Sequence, residues 1–184
     1  MLFYKVKFTI QSGALFGQAA MTGEVTIRTA TMEDFTAVCQ WLHELDELHV
    51  RLRPDVFQPF NGPTRPREVI AQFIDEDDGE IFLANVGNDI VGLATIQVRD
   101  RADAPMFWPR QNAVIDNLVV SQKFQRLGIG KKLLDCAVEW TRSRKIPRID
   151  INVWSDNKTG MSFFTANGFT PMCQRMELRI DNAK

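Results

Sequence analysis

The sequence has few of the residues that cross-link small proteins or bind metals. Its 184 residues include three cysteines, Cys39, Cys136 and Cys173, and two histidines. The cysteines form an odd set without a Cys-x-x-Cys pair, so neither a disulfide framework nor a zinc site is expected. We therefore predict a protein that needs no metal, and its cysteine usage fits a reducing, cytoplasmic location.

The sequence also lacks an excess of charge of either sign. It carries 22 basic and 23 acidic residues, for a net charge of -1. The basic residues are scattered along the chain, so no long-range field gathers phosphates and nucleic acid is not expected as a partner. No apolar run is long enough to span a bilayer, and no membrane partner is expected either.

Residues 1–20 contain no acidic residue. They carry Lys5 and Lys7, and polar residues interrupt their apolar runs, which is not typical of a secretory signal peptide. A strand-like segment at residues 25–28 follows soon after Met21. We expect residues 1–20 to be an upstream leader or a segment added for expression, and residues 21–184 to form a single domain.

From residue 25 onward the hydrophobic period alternates between that of a strand and that of a helix. Strands are predicted at residues 25–28, 80–86, 90–98, 113–120 and 149–154, with a final strand or strands within 169–180. Helices are predicted from about residue 31 to between 51 and 54, and at about 67–75, 128–144 and 158–166. This alternation indicates an α/β domain.

The strongest local signal lies between the strand at 113–120 and the helix that follows it. Gly128 and Gly130 would let backbone N–H groups approach a ligand closely at a helix N-terminus, and Arg126 and Lys131 add positive charge. This arrangement favours a phosphate or pyrophosphate site. The alternative is a tight turn that needs glycine only for its geometry. The spacing excludes a Walker A loop and a dinucleotide fingerprint.

Two motifs carry a resemblance to a known family. Gln125-Arg126-Leu127-Gly128-Ile129-Gly130 matches the pattern (Arg/Gln)-x-x-Gly-x-(Gly/Ala) of the acetyl-CoA loop of the GCN5-related N-acetyltransferases. Residues 157–169 are similar to that family's later Asn-x-x-Ala-x-x-Phe-Tyr-x-x-x-Gly-Phe segment, with Gly160 in the place of the usual alanine. The resemblance covers about residues 25–180. It implies an α/β (α+β) fold: a mixed, mostly antiparallel sheet of about six to seven strands, helices on both faces and a splayed pair of central strands.

The resemblance also implies a site for acetyl-CoA as co-substrate, without a metal. The strand residues Leu118, Val119 and Val120 would hold the pantetheine arm through the backbone groups of Leu118 and Val120. Asn157 would contact this arm and Phe164 would pack beside it. The residues that would hold the pyrophosphate are Gln125, Arg126, Leu127, Gly128, Ile129, Gly130 and Lys131.

The sequence departs from the family where a proton donor is expected. The family often has a tyrosine at the position of Phe164, and phenylalanine cannot protonate the leaving thiolate. A free thiol has a pKa near 8.5, so thiolate release at pH 7 costs only roughly 2 kcal/mol, which water or Ser162 as candidate acid could offset. A lysine-like amine must lose its proton before it attacks, at roughly 4.6 kcal/mol, so the base matters more.

Asp116 is the candidate base, because the family often has an acidic residue at this place in the strand. The alternative for Asp116 is a solvated or salt-bridged strand carboxylate. Asp46, Glu47 and His49, at the end of the first helix, are further candidates, for which a solvated helix face is the alternative.

The resemblance implies an acetyl-CoA-dependent N-acetyltransferase in which a primary amine attacks the thioester directly within a ternary complex. The sequence leaves a small-molecule amine, an amino acid or polyamine, and a protein N-terminus open as the acceptor, with a small molecule favoured. Homodimers are frequent in this family, and a homodimer is therefore expected. The alternative of a different class is a non-catalytic acyl-CoA-binding sensor or interaction module, to which Phe164 points. A third alternative is transfer to a hydroxyl group.

Overall fold

A computed structural model of the protein describes residues 6–8, 24–60, 62, 65–100 and 111–180. The chain divides into two compact units, residues 1–152 and residues 153–184. Whether residues 21–184 form a single domain and residues 1–20 a leader stays a prediction. Of the expected leader, only Val6–Phe8 lies within the described residues, and it forms a strand. No helix of the described residues is both long and apolar enough to cross a bilayer.

The first unit contains a six-stranded sheet in which each strand lies beside its neighbour in the sequence. The strands are β1 (Val6–Phe8), β2 (Val25–Thr29), β3 (Gly79–Val86), β4 (Asp89–Asp100), β5 (Gln111–Val120) and β6 (Ile149–Ile151). Strands β1 to β5 pair in antiparallel fashion, whereas β5 and β6 are parallel. The predicted mixed, mostly antiparallel sheet is therefore confirmed.

The helices are α1 (Phe35–Leu52), α2 (Arg67–Asp75), α3 (Ile129–Ser143) and, in the second unit, α4 (Lys158–Ala166). Helices α1 and α2 cover one face of the sheet through an apolar cluster: Val38, Trp41, Leu42, Ile70, Ile81, Leu83 and Leu93. Helix α3 contacts β2 to β5 and contributes no residue to this cluster, since it covers the opposite face. Helices on both faces are thus confirmed.

Local chemistry fixes the start of α1 and the hairpin between β3 and β4. The Asp34 carboxylate accepts from the Thr31 N–H at 2.9 Å and from both terminal nitrogens of Arg28 at 2.7 Å. These contacts tie β2 to the turn that precedes α1, as a capping box does. In the hairpin, Val86 pairs with Asp89, and Gly87 adopts a φ of 59°, as tight hairpin turns require.

The last two strands separate soon after they meet. The β5–β6 register ends at Ile115 opposite Ile151, so β6 is shorter than the predicted 149–154. The predicted final strand is not formed, because residues 169–180 pair with none of the described strands and Met176, Leu178 and Ile180 are exposed. An alternating pattern forms a strand only where a sheet edge receives its hydrogen bonds. The splayed pair therefore stands at the edge of the described sheet, not at its centre.

Candidate functional site

The pairing of β4 with β5 contains a β-bulge at Asp116. Thr95 pairs with Asn117, but the next β4 residue, Ile96, pairs with Ile115, so Asp116 is an extra residue on β5. A bulge breaks the alternation of side chains and re-aims them. Asp116 and Asn117 consequently line the same cleft although they are consecutive in the strand.

This cleft, which we call the α2 cleft, has a volume of about 330 Å³ and lies between the sheet and helices α1 and α2. Its apolar wall comes from α1, α2 and β3: Leu42, Val69, Ile70, Phe73 and Ile81. Its polar floor comes from β4 and β5: Thr95, Gln97, Asp116 and Asn117. Arg65 completes the lining. A cleft with one apolar and one polar side can hold an apolar molecule by one end and orient a reactive group at the other.

The Asp116 carboxylate is held by two neighbours on β4. Its Oδ1 accepts from Arg99 Nη2 at 2.7 Å, and its Oδ2 accepts from Gln97 Nε2. Asn117 Nδ2 donates to Thr95 Oγ1 at 2.8 Å. A carboxylate has about four lone-pair positions, so Asp116 can accept further hydrogen bonds from a molecule in the cleft. Asp116 is therefore both salt-bridged and placed where a base could act.

The candidates at the end of α1 lie outside the α2 cleft. Asp46 pairs with Arg65 at 3.3 Å, and Asp46 and Glu47 line a smaller depression of about 120 Å³. The His49 ring stacks on Phe57, with ring centroids 5.2 Å apart, and burial lowers the pKa of this imidazole. The structure thus brings none of these three side chains into the lining that contains Asp116.

At every second residue beyond the bulge, the N–H and C=O groups of β5 point away from β4. Ser121 N–H donates to the Val91 carbonyl at 2.9 Å, which makes Gly92 and Val120 a non-hydrogen-bonded pair. The N–H and C=O groups of Val120, and of Leu118 two residues earlier, consequently point to the side on which β6 has ended. Gln125 Nε2 donates to the Val120 carbonyl at 3.1 Å, while Val119 packs against the apolar cluster.

The loop predicted to bind an anion has left-handed backbone at two positions. Arg126 has a φ of 65° and Gly128 a φ of 79°, and Gly128 is the N-cap of α3. Residues 125–128 are exposed, no side chain caps this helix end, and its first turn contains no acidic residue. The buried Ile129 anchors the turn, and Lys131 pairs with Asp135. Left-handed residues next to a helix N-terminus form a concave set of N–H groups that suits an anion.

In the second unit, Asn157 caps α4. Its Oδ1 accepts from Gly160 N–H at 2.9 Å, and a Cβ at Gly160 would lie 2.7 Å from Asn157 Nδ2. Glycine at position 160 therefore leaves room for the cap. Phe164 is buried and packs edge-on against Phe163 and Phe169 at centroid distances of 5.0 and 5.3 Å. Ser162, the candidate acid, is exposed.

Sequence reasoning missed several polar residues of the α2 cleft and one buried acid elsewhere. Gln97 and Thr95 alternate with apolar residues along β4, and this period of two is the signal that would have found them.

Glu80 has its pKa raised to about 7, chiefly by burial. However, Glu80 pairs with Ile96 and is adjacent to Ile81, which lines the cleft, so Glu80 faces the opposite side of the sheet. It is not a base for the α2 cleft.

Comparison with known proteins gives one family and a set of similar folds. Residues 38–169, more than half of the chain, match the family described as acetyltransferase (GNAT) family. A mutant of the BH1408 protein from Bacillus halodurans is 22% identical, with a TM-score of 0.78 and coverage of 84% of this chain and 98% of that one. An aminoglycoside acetyltransferase from an uncultured soil metagenomic sample, in complex with sisomicin, is 18% identical (TM-score 0.63; coverage 86% and 97%). A predicted acetyltransferase with acetyl-CoA from Clostridium acetobutylicum is 17% identical (TM-score 0.64; coverage 84% and 96%).

Proposed function

Because the chain belongs to the GNAT acetyltransferase family, we propose that it transfers an acetyl group from acetyl-CoA to a primary amine within a ternary complex. The observation that carries this proposal is the bulge on β5. It aims Asp116 into a cleft of ligand size, and the same strand continues into the exposed backbone edge at Leu118 and Val120. One strand thus joins a candidate base to the backbone expected to hold the coenzyme.

The coenzyme would be held mainly by backbone groups. The N–H groups from Gln125 to Lys131 would receive the pyrophosphate, since the left-handed residues and the helix N-terminus favour an anion there. The outward N–H and C=O groups of Leu118 and Val120 would pair with the pantetheine amides. Gln125 now donates to the Val120 carbonyl, so its side chain would move when that carbonyl takes a coenzyme donor.

In the reaction, Asp116 takes the proton of the incoming ammonium group, directly or through water. The neutral nitrogen then attacks the thioester carbonyl carbon, the C–N bond forms and the C–S bond breaks. The thiolate leaves with the electron pair and receives the second proton lost by the nitrogen, so the products are an amide and free coenzyme A. A positioned base contributes about 10²–10⁴-fold to such a step.

Protonation of the leaving thiolate does not depend on position 164 in this proposal. Phe164 lies between Phe163 and Phe169 and offers no proton. The cost of releasing a thiolate at pH 7, roughly 2 kcal/mol, is small enough for the second proton lost by the nitrogen to reach the thiolate through water. Asn157 uses Oδ1 to cap α4, so any hydrogen bond that its side chain donates comes from Nδ2.

The test is calorimetric binding of acetyl-CoA, followed in the same sample by measurement of thiol release with a panel of amines. Binding with thiol release that depends on the amine supports the proposed transfer. Binding without release for every amine would favour the non-catalytic acyl-CoA-binding module. Release with alcohols only would favour a hydroxyl acceptor, and no binding would contradict the assignment of the 125–131 loop.

A further inference from the structure

The α2 cleft is chemically divided between its two sides. The apolar surface open to the cleft comes from the half-buried Val69 and Phe73 of α2, and Leu42, Ile70 and Ile81 pack almost fully buried behind it. Such a wall gains free energy only by covering apolar surface of a ligand. The body of the acceptor is therefore recognised by apolar contact.

The charges of the cleft are balanced within the protein. Among the described residues that line it, the ionisable ones are Asp116 and Arg65. Asp116 is paired with Arg99 at 2.7 Å, and Arg65 is paired with Asp46 at 3.3 Å. An ammonium group needs a counter-charge or hydrogen-bond partners when it leaves water. Within the part of the chain that the structure describes, the lining offers such partners to one amine at the polar floor but no set of carboxylates for a polycation.

The size of the cleft also limits the acceptor. The volume of about 330 Å³ is at the lower end of the range for clefts that bind small molecules. It suits one ring or a short chain bearing an amine.

On the basis of the proposed acetyl transfer, we infer that the acceptor is a small monoamine with an apolar body, such as an arylalkylamine, and not a polycation. The apolar body lies against Val69 and Phe73, and its amine lies over the floor at Asp116. This sets the chain apart from the structurally similar aminoglycoside acetyltransferase that was solved with sisomicin.

The first test compares kcat/KM of the unmodified protein for 2-phenylethylamine, spermidine and sisomicin, with thiol release as the readout. We expect 2-phenylethylamine to exceed both polycations by about tenfold or more, the range that apolar pockets achieve in discrimination. Equal or higher values for either polycation would overturn the inference while leaving acetyl transfer intact. If no amine releases thiol, calorimetry with 2-phenylethylamine decides. Binding would support the cleft as the site of an apolar amine although acetyl transfer fails, and no binding would overturn the inference.

A pair of variants tests whether the apolar wall of the α2 cleft determines which amine is accepted. Val69→Asp places a carboxylate in the apolar wall, whereas Gln72→Asp places the same charge on the exposed side of the same helix. We expect Val69→Asp to lower kcat/KM for 2-phenylethylamine about tenfold or more, mainly through KM, and to shift selectivity toward spermidine. Gln72→Asp should stay within about twofold of the unmodified protein. Equal effects of the two variants, with acetyl-CoA affinity retained in both, would overturn the role of the wall.

Discussion

Asp116 and Arg99 contact each other across β4 and β5, with 2.7 Å between Oδ1 and Nη2, although they are not register partners. Arg99 pairs in register with Asn112, so the contact is made by the far end of its long side chain, Nη2. The guanidinium balances the carboxylate and fixes its direction, while the remaining lone pairs stay available to the cleft. A salt-bridged strand carboxylate and a candidate base are therefore the same residue.

The loop before α3 is tested by a matched pair of glycine substitutions. Gly128 and Gly87 have φ values of 79° and 59°, and a Cβ added at either would meet nothing within 4 Å. Leucine at either position should lower the free energy of unfolding by about 1–2 kcal/mol, because both positions require left-handed backbone. Only Gly128→Leu should weaken acetyl-CoA binding, by about tenfold or more, since its side chain blocks access to the N–H groups.

The measurement is calorimetric Kd for acetyl-CoA, with denaturant unfolding of each variant as the control for strain. Unchanged acetyl-CoA affinity in Gly128→Leu would contradict the loop assignment. Equal weakening in Gly87→Leu would show that backbone strain, and not blocked access, is the cause.

The contact of Arg28 with Asp34 should make stability depend on pH in the acid range. The Arg28 guanidinium holds the pKa of the Asp34 carboxyl below its ordinary value of 3.8. Asp34→Asn should lower the free energy of unfolding by about 1–2 kcal/mol at pH 7. Since a lowered pKa gives stability that is present above the unfolded value and lost as pH falls through the folded one, the difference should vanish in strong acid.

Urea denaturation from about pH 7 to pH 2 measures this effect. Glu33→Gln is the control, because Glu33 is exposed in the same turn. A difference between Asp34→Asn and the unmodified protein that is as large at about pH 2 as at pH 7 would rule out the ion pair as its source.

Much of the fold could be predicted because its signals are local. The apolar spacing of Phe35, Val38, Leu42 and Leu45 predicted α1, and the structure places it at Phe35–Leu52. The 125–131 loop could likewise be predicted from the sequence, because the left-handed N-cap of α3 favours glycine at position 128 itself.

What the sequence did not predict depends on partners that are distant in the chain. The bulge at Asp116 lies where Asp116 and Asn117 interrupt an otherwise apolar strand, but this break does not show which β4 residues the two side chains face. The contacts of Asp116 with Gln97 and Arg99 join positions on different strands. The prediction of a final strand within 169–180 was wrong. Alternating apolar residues such as Met176, Leu178 and Ile180 are typical of a strand, but they do not show which sheet edge would pair with it.

Glu80 should give the protein a second pH dependence, of opposite sign, near neutrality. Burial raises the pKa of this carboxyl from 4.5 to about 7, and the hydrogen bond from the Ile81 N–H and the charge of Arg144 only partly oppose the shift. A raised carboxyl pKa means that stability is present below about pH 4.5 and is lost as pH rises through about 7. Because Glu80 is only half-buried, solvent screening reduces the full effect to about 1–2 kcal/mol.

Glu80→Gln should therefore be more stable than the unmodified protein at about pH 8 and equal to it near pH 4. Glu76→Gln, at an exposed position before β3, is the control. Thermal unfolding across this pH range decides, and parallel curves for Glu80→Gln and the unmodified protein would contradict the burial of the charge.

The most direct test of the account measures kcat/KM and acetyl-CoA Kd for Asp116→Asn across pH, with Asp89→Asn in the exposed hairpin turn as the control. We predict that Asp116→Asn loses about 10²-fold or more in kcat/KM for the amine near pH 7, while its acetyl-CoA Kd stays within about twofold. The loss should shrink as pH approaches the pKa of the amine, because the amine then loses its proton without a base. A kcat/KM equal to that of the unmodified protein at every pH would contradict the role of Asp116.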